Sequence, residues 1–201
     1  MNYVYMNSFQ KAGLLCTASG FITIVGIISA EAVATVYQTH SQVISDLARY
    51  DDAQWVFNTA MILSGLCAIT ASIFLFRQSY QRFFSLLLLI NGIGILGVGL
   101  FPIYTGAIHQ TFAILTFGAG ALMALIHARF DQSALRYFSA WCGIFAFVSI
   151  LFFFWTQTYL GVGGAERLIS YSNTIWLIAF GGWLLRYTSP GSTERAPTKN
   201  T

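Results

Sequence analysis

The sequence predicts an all-α protein: a polytopic transmembrane bundle of six helices with both termini in the cytoplasm. Three observations carry this prediction. Only 8% of the residues are charged, against roughly 25% in a soluble globular protein. The mean hydropathy is +0.66. Six segments of at least 17 residues contain no Asp, Glu, Lys or Arg, and a helix needs about 20 apolar residues to cross the hydrocarbon core.

Each predicted span is an uncharged run that ends at charged or helix-breaking residues. The six runs are residues 12–30, 57–76, 83–100, 110–126, 137–155 and 168–185. Continuous apolar runs of this length favour helices over barrel strands, which alternate in hydropathy over about ten residues. Residues 1–188 therefore form one six-helix transmembrane domain, and the polar tail 189–201 is expected to be a disordered cytoplasmic end.

The first run also has features of a signal peptide, because Lys11 precedes it and Ala30-Glu31-Ala32 fits a cleavage pattern. Its 19 residues exceed a typical signal core of roughly 7–15. We therefore expect a retained helix, with cleavage as the alternative.

The composition also excludes several functions. With so few charges the chain cannot cover a water-facing surface, which excludes a soluble enzyme and a nucleic-acid binder with a basic face. The three cysteines, Cys16, Cys67 and Cys142, lie far apart in apolar runs and form no CxxC pair. No metal-binding motif and no cofactor signature is present.

The positive-inside rule predicts the orientation. Of the ten Lys and Arg residues, only Arg49 and Arg167 would lie outside. The other eight would lie on the side of the termini: Lys11, Arg77, Arg82, Arg129, Arg136, Arg186, Arg195 and Lys199. We therefore expect a multi-pass protein of the cytoplasmic (inner) membrane. Its expected partner is the lipid bilayer, and no nucleic-acid partner is expected.

Polar side chains from three distant stretches are predicted to meet at the outer face. The candidate ligand-binding residues are Glu31, Ser45, Asp46, His109, Glu166, Arg167 and Asn173. Hydration of the loops explains part of this polarity. Glu31 is different, because it adjoins an apolar span and a carboxylate at the bilayer centre costs roughly 2.5–3.5 kcal/mol. Arg167 is its expected partner.

Glu166 and Arg167 are adjacent on a helix, so their side chains diverge by about 100°. One of them is expected to face a pocket and the other its rim. Alternatively, Glu166 occupies the first turn of the last helix, where the dipole favours a negative charge. Ser170, Asn173 and Thr174 share the helix face of Glu166, which predicts a polar stripe that descends into the membrane.

Other polar residues in the spans have structural interpretations. Asn91 lies in mid-span and needs a hydrogen-bond partner. His109 follows a helix break at Pro102 and Gly106 and begins span four, where it is either an anchor or a ligand. His127 is interpreted as a snorkelling anchor at the inner end.

The glycines of span three match GxGxxG, but they lie at lipid depth without a preceding strand. We expect them to pack helices closely, together with Gly99, Gly118 and Gly120.

The sequence resembles the domain of unknown function family 998, a group of six-span prokaryotic membrane proteins. The resemblance covers nearly the whole chain and depends on three short motifs in order. They are Ile44-Ser45-Asp46-Leu47, Gly99-Leu100-Phe101-Pro102 with His109 downstream, and Gly163-Gly164-Ala165-Glu166-Arg167. Ala48 departs from the glycine expected there. The resemblance implies the fold and the membrane location, points to Asp46, His109, Glu166 and Arg167, and implies no activity.

Three functions fit these observations. The first is a binding or transport module for a small polar solute or a lipid headgroup, with a polar site at the extracytoplasmic face. The second is a membrane-embedded hydrolase, with histidine and carboxylates as general acid–base groups or zinc ligands. The third is a scaffold subunit, or a homo-oligomer, that associates through the glycine-rich helix faces.

Overall fold

A computed structural model describes residues 6–78, 82–155 and 160–186. These residues form six long α-helices and two short 3₁₀ helices, Ile44–Arg49 and Ile103–Thr105. The α-helices are α1 (Ser8–Val33), α2 (Asp51–Arg77), α3 (Arg82–Leu100), α4 (Ala107–Phe130), α5 (Leu135–Trp155) and α6 (Gly161–Leu185). The all-α prediction with six spans is confirmed, while the predicted tail 189–201 lies outside the described residues.

The six helices form a closed ring. Each helix packs against the next one along the chain, α6 packs back on α1, and α4 also contacts α6 across the ring. All six are long and apolar enough to cross a membrane. The chain is therefore a multi-pass integral membrane protein. We call the end of the bundle with residues 34–50 and 101–106 the cap end, and the end where α1 begins and α6 finishes the terminal end.

Two apolar clusters fill the ring. The cluster of the terminal half includes Phe84, Trp176 and Phe180, and that of the cap half includes Leu47 and Phe57. Large apolar side chains also cover the outside of the ring, such as Phe21 and Trp141, each 62% exposed. Such an exposed apolar surface is tolerated in lipid and not in water.

The glycines of α3 hold neighbouring helices at short distances. A Cβ added to Gly92 would lie 2.8 Å from the Ile69 nitrogen of α2, and one added to Gly94 would lie 2.7 Å from the Thr116 nitrogen of α4. The predicted packing role of these glycines is confirmed. It is wrong for Gly118, because a Cβ there would meet no heavy atom within 4 Å.

His127 is not the surface anchor that the sequence suggested. Its ring is only 3% exposed. Its Nδ1 lies 3.1 Å from the Ser139 hydroxyl, and the ring packs edge-on against Phe180 and Trp183. The aromatic residues of α6 cover the imidazole. The position of a histidine in the sequence, near a helix end, does not predict such burial.

Candidate functional site

The side chain of Arg167 connects α1, α6 and the loop between α1 and α2 at the cap end. Arg167 of α6 donates from Nη2 to Glu31 Oε1 of α1 at 2.5 Å and to the Tyr37 hydroxyl at 2.6 Å. Its Nη1 donates to the carbonyl oxygens of Thr39 at 2.9 Å and Gly163 at 2.8 Å. The predicted Glu31–Arg167 pair is confirmed. The guanidinium also holds residues 34–50, which we call the capping segment, onto α1 and α6.

Tyr37 takes part in this network, and sequence reasoning missed it. Its hydroxyl accepts from Arg167 and donates to the Val43 carbonyl oxygen at 2.9 Å. Burial raises the pKa of the Tyr37 phenol to about 12, although the hydrogen bond from Arg167 acts in the opposite direction. The phenol therefore keeps its proton and can donate to Val43. A single tyrosine in a loop gives no spacing that would identify it beforehand.

Gly163 lets the capping segment lie directly on α6. Its amide donates to the His40 carbonyl oxygen at 3.2 Å. A Cβ added there would overlap the carbonyl oxygens of Thr39 and Gln42. Helix α6 begins at Gly161, so Glu166 is not in its first turn and the dipole interpretation is wrong. The glycine-rich stretch is thus helical, and the capping segment covers it at Gly163.

The carboxylate of Glu166 contacts the first residues of the 3₁₀ helix Ile44–Arg49. Its side chain is buried, with the residue 7% exposed. Its Oε2 accepts from the Ile44 amide, and its Oε1 lies 3.5 Å from the Ser45 hydroxyl. Among the described residues no cation lies within 4 Å of this carboxylate. The two adjacent charges of α6 thus diverge as predicted.

His109 is positioned by a backbone break. Gly106 adopts φ +65°, a conformation that favours glycine, and α4 begins directly after it. His109 is 3% exposed, and its Nδ1 lies 2.7 Å from the Phe101 carbonyl oxygen. Since a carbonyl only accepts, Nδ1 carries the proton, and Nε2 of the neutral ring is an acceptor.

These side chains surround a cavity in the cap half of the ring. Its volume is about 60 Å³ when only the space open to the centre of a water molecule is counted. Four predicted residues line it, namely Ser45, His109, Glu166 and Asn173. The walls are mainly apolar and include Phe57, Met61, Phe117 and Leu177. The bundle thus brings polar groups from the capping segment, α4 and α6 to one apolar chamber.

The other three predicted residues do not line the cavity. Glu31 and Arg167 form an ion pair at the cap end, outside the cavity lining. Asp46 stays within the capping segment, where it accepts from Arg49 Nε at 2.8 Å and from the Val43 amide at 3.2 Å. Their contacts give them a role in holding the capping segment.

Asparagines extend the polar lining into the membrane. Asn91 Nδ2 donates to the Thr116 carbonyl oxygen at 2.8 Å, which supplies the partner that its position required. Asn173 Nδ2 donates to the Phe117 carbonyl oxygen at 3.2 Å, while its buried Oδ1 has no partner. Ser170 and Thr174 also line the cavity, so the predicted stripe is confirmed. Thr23 and Thr116 complete the lining but stand alone in apolar runs, and the sequence did not single them out.

The described residues contain no group of three His, Cys, Asp or Glu side chains that could hold a metal ion.

A family model described as "Protein of unknown function (DUF998)" matches residues 17–183. The chain belongs to this family. The three motifs of this DUF998 chain meet at the cap end: Ile44 and Ser45 contact Glu166, Phe101 accepts from His109, and Gly163 contacts the capping segment. No curated protein and no solved structure matches the chain.

Proposed function

We propose that the protein is a membrane-embedded binding module that takes a small amphiphilic molecule into its central cavity. The observation that carries this proposal is the division of the cavity wall. A buried carboxylate, an imidazole and a hydroxyl lie where the capping segment covers the chamber, and apolar side chains form most of the rest. Ligand sites are commonly apolar chambers with a few convergent polar groups.

Binding is favoured over passage through the bundle. Below the cavity, the terminal half is filled by Phe84, Trp176 and Phe180, whose rings lie 5.0–6.3 Å apart. Trp176 itself lines the cavity and so forms part of its floor. A solute that entered at the cap end would meet packed aromatic rings, so this conformation is that of a binding protein or of one closed state of a transporter.

The positive-inside rule supports an arrangement with the cap end outside and the termini in the cytoplasm. The ligand would then enter from the extracytoplasmic face of the cytoplasmic membrane. Self-association through glycine-bearing faces stays a prediction. The hydrolase and scaffold alternatives also stay predictions, because no specific contact among the described residues favours either.

The test fills the cavity. Ala113 lines it, whereas its neighbour Ile114 is 64% exposed on the outside of α4. We expect 1-octanol to raise the unfolding temperature of the purified protein saturably in a non-ionic detergent, since a ligand of the folded state stabilises it. This shift should persist in Ile114→Phe and disappear in Ala113→Phe. An equal shift in both variants would place octanol on the surface and contradict the proposal.

A further inference from the structure

We infer that the cavity selects a ligand with a cationic, hydrogen-bond-donating head, namely a primary ammonium on an apolar chain. This inference rests on the proposed function and names the chemistry of its ligand. It is carried by the carboxylate of Glu166, which lines the cavity without an ion-pair partner, and by the unsatisfied amide oxygen of Asn173.

The nitrogen-bearing side chains of the lining donate to the protein itself. Asn91 and Asn173 each donate to a backbone carbonyl of α4, and His109 donates from Nδ1 to the Phe101 carbonyl. The indole of Trp176 donates to the Ser139 hydroxyl at 2.9 Å. Three of these side chains also carry an acceptor atom, namely the two amide oxygens and the imidazole Nε2, and each asparagine keeps a second N–H beside the one that it donates.

The hydroxyl groups of the lining are engaged in the same way. Thr23, Thr116 and Thr174 each donate to the carbonyl oxygen four residues earlier on their own helix, at 2.7–3.0 Å. Ser45 points its hydroxyl to Glu166. Among the described hydroxyl groups of the lining, that of Ser170 differs because it can donate as well as accept.

The charge of the lining agrees with this pattern. Glu166 is the one charged residue among the described residues that line the cavity, and Arg167 is engaged with Glu31 and Tyr37 outside it. A buried carboxylate without a counter-ion is costly, and a ligand ammonium would supply the missing charge. An anionic headgroup would instead meet a like charge in a medium of low dielectric constant.

Asn173 supplies a second, independent observation. Its Oδ1 is buried and has no hydrogen-bond partner, although most buried polar atoms have one. It lies seven residues beyond Glu166 on α6, about 10 Å deeper along the helix axis. Asn173 is also one of the residues that line the cavity, so the lining contains an unsatisfied acceptor deeper than Glu166.

The experiment compares three probes of equal chain length: octylammonium, 1-octanol and octanoate. Thermal unfolding of the full-length protein in non-ionic detergent gives an apparent Kd for each. We expect octylammonium to bind at least tenfold more tightly than 1-octanol, and octanoate to bind more weakly than both. In Glu166→Gln, which keeps an acceptor for the Ile44 amide, octylammonium should bind no more tightly than 1-octanol binds to the same variant. In Ala113→Phe all three should fail to bind.

The outcomes separate the two proposals. Binding of octanoate as tight as that of octylammonium would overturn the inference but leave the binding function intact. Amine binding that survives in Ala113→Phe would show binding outside the cavity and overturn the inference. Failure of all three probes to bind the wild type would overturn both. If Glu166→Gln does not fold, the order of the three affinities in the wild type still decides.

Discussion

A single guanidinium, that of Arg167, connects three parts of the chain that are distant in sequence. Arginine suits this place because its planar head presents five N–H donors in a fixed fork. Here those donors reach a carboxylate on α1, a phenol and a carbonyl in the capping segment, and a carbonyl on α6. A lysine has one nitrogen and could not serve all of them.

We predict that Arg167→Met lowers the free energy of unfolding by about 2 kcal/mol, since it leaves a half-buried Glu31 without its counter-ion and removes the side-chain donor to the Thr39 carbonyl. The comparison is Arg49→Met, because Arg49 is also paired with a carboxylate but its side chain is 51% exposed. Exposed pairs contribute about 0–1 kcal/mol.

The measurement is unfolding by SDS in mixed micelles, with Arg167→Lys as the conservative variant. Arg167→Lys should recover only part of the loss. Equal losses for Arg167→Met and Arg49→Met would show that the Arg167 network does not stabilise the cap end.

At this scale the sequence was informative where candidates were few. The pairing of Glu31 with Arg167 was predictable because only two cations were expected on that side. The positions of Tyr37 and His127 were not predictable, since each depends on which helices become neighbours. It was also not predictable from the sequence that Asp46 pairs locally whereas Glu166 lines the cavity.

At the scale of elements, the capping segment is the piece that closes the cavity. It carries no long helix, yet Ile44 and Leu47 are buried at 4% and 0% exposure. Its position depends on the close approach to α6 at Gly163. Loops that cover binding sites commonly open more readily than the helices around them.

We predict that Gly163→Ala displaces the capping segment, because the new Cβ would overlap two of its backbone carbonyls. The free energy of unfolding should fall by about 1–3 kcal/mol, the usual cost of overpacking. Hydrogen exchange of residues 38–49 should become faster.

The matched control is Gly182→Ala on the same helix, where a Cβ would meet no heavy atom within 4 Å. Alanine favours a helix over glycine, so this variant should be neutral or more stable. Unchanged exchange in residues 38–49 of Gly163→Ala would show that the segment accommodates the methyl group.

The helices themselves were largely predictable, and their ends less so. Uncharged runs located all six, because lipid admits few charges. The runs underestimated α6, which begins at Gly161 and not at residue 168. Charged residues such as Glu166 and Arg167 continue the helix where protein, and not hydrocarbon, surrounds them. Hydropathy marks the part of a helix in lipid and misses turns that other segments cover.

At the scale of the whole molecule, the ring closure creates the cavity. Five helices and the capping segment contribute to its wall, whereas the described side chains of α5 do not. A sequence pattern cannot predict the cavity, because the size of a central space depends on how all the helices pack against one another. The sequence did indicate which residues were candidates for it, because buried polar side chains in a membrane protein need protein or ligand partners.

The distribution of charge predicts the orientation in the membrane, and this prediction can be tested in living cells. The helix ends at the terminal end carry most of the cations, whereas the cap end carries Arg49 and Arg167. In a background with Cys67→Ala, we predict that Gln38→Cys in the capping segment reacts with a membrane-impermeant maleimide in intact cells. Gln78→Cys, at the end of α2, should react only after permeabilisation.

Both substituted positions are suitable because Gln38 and Gln78 lie outside the six helices. The remaining cysteines, Cys16 and Cys142, are buried and should stay unlabelled. If Gln78→Cys were labelled in intact cells and Gln38→Cys were protected, the topology would be the opposite of the predicted one. The cavity would then open toward the cytoplasm, and its ligand would have to be sought among intracellular amines, because the acceptor-lined chamber itself is the same in either orientation.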